Sequence, residues 1–246
     1  CIFFFLHVSM NLILLHESDF SDDSKTHVRL TGERMNHIVS VFKASTGQIL
    51  KAGLLGGPMG SAQITSIKES YIELKVKLDK ASPPPLPLTL ILALPRPKSL
   101  KKTIEVATTL GIKTIYIIES WRVEKSYWSS PELSEENLKR HIFKGLEQAR
   151  DTIPPQVHIR RRFKPFVQDE IPDLLPGHRA LVAHPYNGNN CPHSINSPII
   201  LAVGPEGGFI PYEIELFCSH GFEVVSLGER ILRVEQAVPA LVGRLL

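Results

Sequence analysis

Two glycine-bearing segments near the carboxyl end hold the residue types that chemistry needs. The first is Ile200-Leu-Ala-Val-Gly-Pro-Glu-Gly-Gly-Phe-Ile210, in which an apolar run stops at Gly204 and a Pro-Glu-Gly-Gly turn follows. The second is Leu227-Gly-Glu-Arg-Ile-Leu-Arg-Val-Glu235, again at the end of an apolar run. A glycine loop at a strand end lets backbone N–H and C=O groups approach a ligand that a side chain would hold off. Two acids, Glu206 and Glu235, and two arginines, Arg230 and Arg233, lie in the same segments. The common nucleotide and nucleophile signatures are missing. No Gly-x-Gly-x-x-Gly follows a strand, the Gly204–Gly208 loop lacks the Lys-Ser/Thr of a P-loop, and there is no Gly-x-Ser-x-Gly elbow. The paired loops therefore serve some other ligand.

Those loops need elements to carry them, and the elements fall into two groups. Ser82-Pro-Pro-Pro-Leu-Pro87 is an extended linker, because its prolines can continue neither a helix nor a sheet interior. The domain boundary is placed there, giving residues 10–82 and 83–246. Before it, Asn11–Leu15, Val28–Leu30, Gln48–Leu55, Ala62–Ser66 and Tyr71–Leu78 read as short strands, and Glu33–Phe42 as a helix. Such a set predicts a small β-barrel. After the linker, strands alternate with helices: strand Leu88–Leu94, helix Leu100–Leu110, strand Thr114–Ile118, helix Glu135–Arg150 and strands Ala180–Ala183 and Ile199–Val203. Helix Tyr212–His220 and strand Glu223–Leu227 complete the series. Continuous apolar strands alternating with helices predict an α/β domain with a mostly parallel sheet covered on both faces. Pro239 lies where a last helix is expected. An interior proline costs about 3 kcal/mol, so that helix is expected to start late or kink.

Bulk properties narrow the class. The chain has 246 residues, 43% hydrophobic and 22% charged, as an ordinary globular protein does. Its net charge is only +3 but uneven. Residues 96–165 carry 15 Lys and Arg against 8 Asp and Glu, whereas residues 166–246 carry 4 against 9. A basic middle suits a polyanion, and it also suits a solvated helical surface. Three cysteines (Cys1, Cys191, Cys218) make no disulfide framework, and Cys191-Pro-His193 lacks further ligands at metal spacing, so no metal is expected. A reducing, cytoplasmic setting fits best. Residues 1–15 are apolar, but too short and too interrupted by His7 and Asn11 to span a bilayer. The expectation is that Met10 is the true start, that residues 1–9 are upstream read-in, and that the carboxyl end is cut short.

The order of motifs resembles one family. Gly204-Pro-Glu-Gly-Gly-Phe209, Glu213-Ile214, Gly221-Phe222, Leu227-Gly-Glu-Arg-Ile-Leu-Arg233 and Glu235 resemble the signature of the RsmE family, SPOUT-superfamily methyltransferases acting on N3 of a uridine in small-subunit ribosomal RNA. Upstream, Leu110-Gly-Ile, Ser120-x-Arg122, Glu147-Gln148, His184-Pro185, His37-Ile38 and Gly47 also resemble it. The chain departs from the pattern at Glu105-Val106, Thr109, Ala149-Arg150-Asp151, Val234 and Pro239.

The resemblance implies a PUA- or OB-like barrel followed by a trefoil-knotted α/β methyltransferase domain. It also implies bound S-adenosylmethionine (SAM), S-adenosylhomocysteine (SAH) as product, and a homodimer with the site at its interface. Carried onto this sequence, the cofactor set is His184, Pro185, Gly204, Pro205, Glu206, Gly207, Gly208, Leu227, Gly228, Ile231, Leu232 and Arg233. Arg230 and Arg233 are candidates to stabilise an anionic uracil, and Glu206 and Glu235 to accept its proton or to position an arginine. Lys98, Lys101, Lys102, Arg122, Lys125 and Arg140 are candidates for RNA phosphates. Trp121, Tyr127 and Trp128, among these charges, are candidates to stack on a base. Two readings stay open beside this one: another RNA target, such as a ribose 2′-hydroxyl or a transfer RNA, and a non-catalytic RNA-binding relative.

Overall fold

The computed structural model describes residues 12–41, 43–186 and 188–246. The expectations for residues 1–9, and for the outer ends of the first strand (Asn11) and first helix (Phe42), fall outside them. The chain divides into two compact units. One runs to Pro83 and takes in Leu146–Pro154; the other is Pro84–Gly145 with Pro155–Leu246.

The first unit holds strands β1 (Ile13–Leu15), β2 (His27–Thr31), β3 (Ile49–Leu54), β4 (Met59–Ile67) and β5 (Tyr71–Lys80), with the short helix α1 (Gly32–Asn36) after β2. The strand order is β1-β3-β4-β5-β2, antiparallel except for β1 with β3. Strict alternation explains β5: Ile72, Leu74 and Val76 are buried while Lys75 and Lys77 are exposed. Leu15 and Val28, from the two edge strands, share one core with Met35, Ile38, Ile64 and Leu74. The sheet therefore curls around that core as a half-barrel. Thr152 fastens the returning segment to the same unit: its hydroxyl donates to the Gly57 carbonyl at 2.5 Å, and its carbonyl accepts from Gly56 N–H at 2.8 Å.

The second unit begins with β6 (Leu88–Ala93), α2 (Pro97–Thr109), β7 (Thr114–Ile118), α3 (Glu135–Ala149, whose residues from Leu146 on count with the first unit) and β8 (Gln156–Arg160). An irregular helical stretch follows, α4 (Phe163–Pro165), a π turn and α5 (Ile171–Leu174). The unit closes with β9 (Arg179–Ala183), β10 (Asn189–Asn190), β11 (Ile199–Val203), α6 (Pro211–Ser219), β12 (Glu223–Ser226) and α7 (Val234–Leu245). All seven strands are parallel, in the order β10-β12-β9-β11-β6-β7-β8. Every residue of β11 is buried, as a strand covered on both faces requires.

Two helices differ from expectation. α2 starts at Pro97 rather than Leu100, since proline at the first helical position supplies the right φ and loses only an N–H that would be unpaired anyway. α7 does not start late: it runs from Val234 through Pro239. Pro239 has no N–H for the Glu235 carbonyl, at a cost of about 3 kcal/mol. Val234, Val238, Leu241, Val242 and Leu245 are all buried, and each contributes roughly 1.5–3 kcal/mol. Packing outweighs propensity.

Candidate active site

Because the strands are parallel, the carboxyl ends of β6, β7, β9, β11 and β12 lie along one edge of the sheet. The segments that follow them hold Arg96, Arg122, His184-Pro185, Gly204–Phe209 and Leu227-Gly228 in turn. Open α/β sheets bind ligands at that edge. A cavity of about 410 Å³ lies there, walled by the His184–Tyr186, Val203–Phe209, Val225–Gly228 and Arg230–Leu232 segments and by Val234, Ala237 and Leu241 of α7. Its size is in the range of small-ligand sites.

The glycine loops have local reasons for their composition. A Cβ on Gly204 would stand 3.0 Å from Phe209 N and 3.2 Å from the Gly208 backbone, so the loop closes tightly only without one. Gly208 and Gly228 have φ of +69° and +107°, which L side chains rarely adopt. Phe209 anchors the first loop in an aromatic cluster, its ring 5.3 Å from Phe217, which is 4.8 Å from Phe222.

The four acid and arginine candidates separate. Glu206 and Arg230 line the cavity. The Glu206 carboxylate is also held from behind, accepting from Arg96 N–H at 3.1 Å in front of the α2 N-terminus, where an acid is favoured. Arg233 and Glu235 do not line it; Arg233 precedes α7 as its N-cap and Glu235 lies in its first turn. Arg233 N–H donates to Gln236 Oε1 at 3.3 Å. Glu235 is half-buried. Burial pushes its carboxyl up, but its own backbone N–H, the Ser99 hydroxyl, Lys102 and Arg233 outweigh that and hold it below the usual range.

Of the remaining cofactor candidates, His184, Pro185, Gly204, Pro205, Gly207, Gly208, Leu227, Gly228, Ile231 and Leu232 line the cavity. His184 is oriented by its ring, whose Nδ1 faces the Tyr186 carbonyl at 2.7 Å. The RNA candidates are spread out. Lys98, Lys101 and Lys102 lie on α2, Arg140 on α3 and Lys125 beyond β7. Lys101 and Arg140 both act on Glu132, and Lys102 acts on Glu235. Arg122 lines the cavity and donates from Nη1 to the Gly207 carbonyl. Trp121 is 80% exposed, whereas Trp128 is half-buried under the Arg161 guanidinium, 5.2 Å from its centroid.

Sequence reasoning assigned no role to three further residues at or beside the site, although Glu213 stands in the motif quoted above. Arg96 has its guanidinium pushed up by a hydrogen bond to Tyr127, then by the charges of Glu206 and Glu124. Its signal was Pro95-Arg96-Pro97 directly after an apolar strand. Tyr186, at the cavity wall, is 58% exposed. Glu213 is only 2% exposed. Burial pushes its carboxyl up, against the backbone N–H groups of Ile210 and Trp121 and the charge of Arg122.

Known proteins resemble this arrangement. A family model described as RNA methyltransferase domain matches residues 82–246. The chain is 29% identical over 239 residues to ribosomal RNA small subunit methyltransferase E of Treponema pallidum (strain Nichols), covering 94% of this chain and 88% of that protein. The protein of that name from Synechocystis sp. is 28% identical over 225 residues, covering 85% of this chain and 69% of its own length. Among solved structures, a probable rRNA-methyltransferase from Porphyromonas gingivalis superposes with a TM-score of 0.72 at 22% identity, over 95% of this chain and 94% of that one. A ribosomal RNA small subunit methyltransferase E from Neisseria gonorrhoeae bound to S-adenosyl methionine gives 0.71 at 21% identity, over 95% of each. These structural likenesses establish the fold.

Proposed function

We propose a reaction from the premise that this chain belongs to the RNA methyltransferase family, and within it to the RsmE group that its motifs resemble. The chain methylates small-subunit ribosomal RNA using SAM, and its target is N3 of a uridine. The observation that carries this reading is the cavity of about 410 Å³ on which both glycine loops converge.

The residues present fit SAM. Backbone groups of the Gly204–Gly208 and Leu227-Gly228 segments, free of side chains at the glycines, would read the adenine edge. Leu227, Ile231 and Leu232 supply apolar surface, and His184-Pro185 closes the wall. When bound, SAM supplies a methyl group already activated on a sulfonium. The chain has to orient the acceptor, exclude water and manage one proton. Uridine N3–H must lose that proton for N3 to take the methyl; the negative charge this leaves is shared with the uracil carbonyl oxygens and is cancelled as the methyl arrives. Arg230, exposed and lining the cavity, would stabilise that charge. Glu206, held by Arg96 N–H, is the acid placed there to accept the proton or to fix Arg230. Arg233 and Glu235, just outside the wall, shape the entry to α7.

This reading includes a homodimer, a knotted carboxyl-terminal half, the boundary at residues 82–83 and a cytoplasmic setting. Apolar side chains exposed at the rim support the dimer: Ile231 is 68% exposed, Leu232 38% and Leu227 36%. Rims of this kind suit a partner surface. No helix among the described residues is long and apolar enough to cross a membrane.

Mass mapping of ribosomal RNA from a strain lacking the gene tests the target. The expected result is loss of one methyl at a single small-subunit uridine, restored by the wild-type gene. An unchanged uridine, with a methyl lost from a ribose or a transfer RNA, refutes the assignment of N3.

A further inference from the structure

The segment after β7 is tied to the glycine loop after β11 by two side chains. Glu213, reaching back from α6, commits both carboxylate oxygens to backbone. Its Oε1 accepts from Trp121 N–H at 2.8 Å, and its Oε2 accepts from Ile210 N–H at 2.9 Å. The second bond caps α6, as an acid in the first turn does. The first does not serve α6 at all; it reaches across to another strand end. Arg122 supplies the second tie, donating to the Gly207 carbonyl. Its stem lies so close that a Cβ on Gly207 would stand 2.9 Å from Cδ.

Burying a carboxylate is costly unless its hydrogen bonds are made. Here those bonds join two loops with different exposures. One loop forms the cavity wall. The other carries the Trp121 ring, 80% exposed, and the Arg122 guanidinium at the cavity. An exposed indole beside a guanidinium is the chemistry that receives an unpaired base and its phosphate. Two loops locked by a shared buried group cannot order independently.

We infer that Glu213 is a positioning residue that couples nucleoside binding in the cavity to RNA binding at Trp121 and Arg122. The inference rests on the function proposed above. Ordering of the Gly204–Phe209 loop by the cofactor fixes Trp121 and Arg122 for RNA. By linkage, RNA raises cofactor affinity by the same factor. Glu213 touches neither ligand.

The experiment measures the affinity of the full-length protein for purified small ribosomal subunits, with and without saturating SAH, and for SAH alone by calorimetry. In the wild type SAH binds and tightens RNA binding by roughly tenfold, within the usual range of coupling between sites. Glu213→Gln keeps the shape, but its amide nitrogen cannot accept from a backbone N–H. In that variant SAH affinity stays within about threefold, and the coupling factor falls toward one. A structural role alone would lower both affinities and leave their ratio. Should Glu213→Gln fail to fold, Arg122→Ala at an exposed position removes the second tie. It weakens RNA binding in both states, and the ratio still has to fall. SAH binding in the wild type with a coupling factor of one, or a full factor in either variant, overturns the inference alone. Failure of the wild type to bind SAH overturns the proposed function together with it.

Discussion

Replacing Gly228 by alanine isolates backbone strain at the second glycine loop. Gly228 has a φ of +107°, and nothing lies within 4 Å of where a Cβ would stand. No clash confuses the result. An alanine held at that φ costs about 1–3 kcal/mol. At about 1.4 kcal/mol per tenfold, this is roughly 5- to 150-fold in a binding constant. The location decides where the cost falls. Residues 227–233 are exposed, between β12 and α7. The loop can relieve its strain by leaving the ligand-binding shape without unfolding the sheet. The penalty therefore appears in SAH affinity, measured by calorimetry, more than in the melting temperature. Gly243→Ala is the control. Gly243 is helical, also has open space around its Cβ position, and does not line the cavity. There alanine stabilises by up to about 1 kcal/mol and leaves SAH binding unchanged. If Gly228→Ala binds SAH within about twofold of the wild type, the loop does not shape the site and the reasoning fails.

The rim and a buried histidine give two further tests. Ile231→Asp removes an apolar side chain from each protomer of the proposed dimer, about 1.5–3 kcal/mol apiece. Sedimentation should show the dimer weakened at least about 100-fold; a wild type that is monomeric at high concentration refutes the dimer. His141 is 2% exposed, with Nδ1 at 2.8 Å from Glu105 Oε1 and Nε2 at 2.7 Å from Glu132 Oε2. The hydrogen bond to His141, with the charges of His141, Lys101 and Arg140, holds the Glu132 carboxyl below its usual value against burial. A carboxyl lowered in the folded state adds stability above its unfolded value and loses it as pH falls through the folded one. Urea denaturation below about pH 4.5 should therefore show a steeper acid loss in the wild type than in Glu132→Gln; equal slopes sink the argument.

What was legible in the sequence was local. Leu88–Ala93 and Ile199–Val203 are continuous apolar runs, and such runs have few alternatives to a covered strand. The glycine loops were legible because a turn with positive φ leaves its mark on residue type. β8 escaped notice: Gln-Val-His-Ile-Arg is short, half polar and at the sheet edge, with no buried residue to set a period. α7 was obscured by Pro239, whose cost is local while the packing that offsets it is not. Arg96 and Glu213 were hidden for a different reason. Their roles depend on which strand ends are neighbours. β11 lies beside β6 although more than a hundred residues separate them in the chain, and no spacing rule contains that fact.

The same strand order explains what the uneven charge is for. Strands β7 and β8 come from the basic stretch, which β6 leads into, and β9 to β12 from the acidic one, and the sheet keeps them on opposite sides of the β11–β6 junction. Charge segregated along the chain thus becomes charge segregated across the sheet. Part of the basic side is already engaged at close range: Arg160 Nε donates to Glu170 at 2.7 Å, and Lys139 pairs with Glu135. Exposed pairs of that kind contribute little and are screened by salt. The cations that matter for a polyanion are those nearest the cavity. Arg122 comes from the basic half yet sits against Gly207 of the acidic half, and Glu213 of the acidic half holds Trp121 of the basic one. The cavity is lined by the acidic half together with Arg122 from the basic one, so on the proposed function Arg122 is the point at which an acceptor held by the basic half would meet a ligand held by the other.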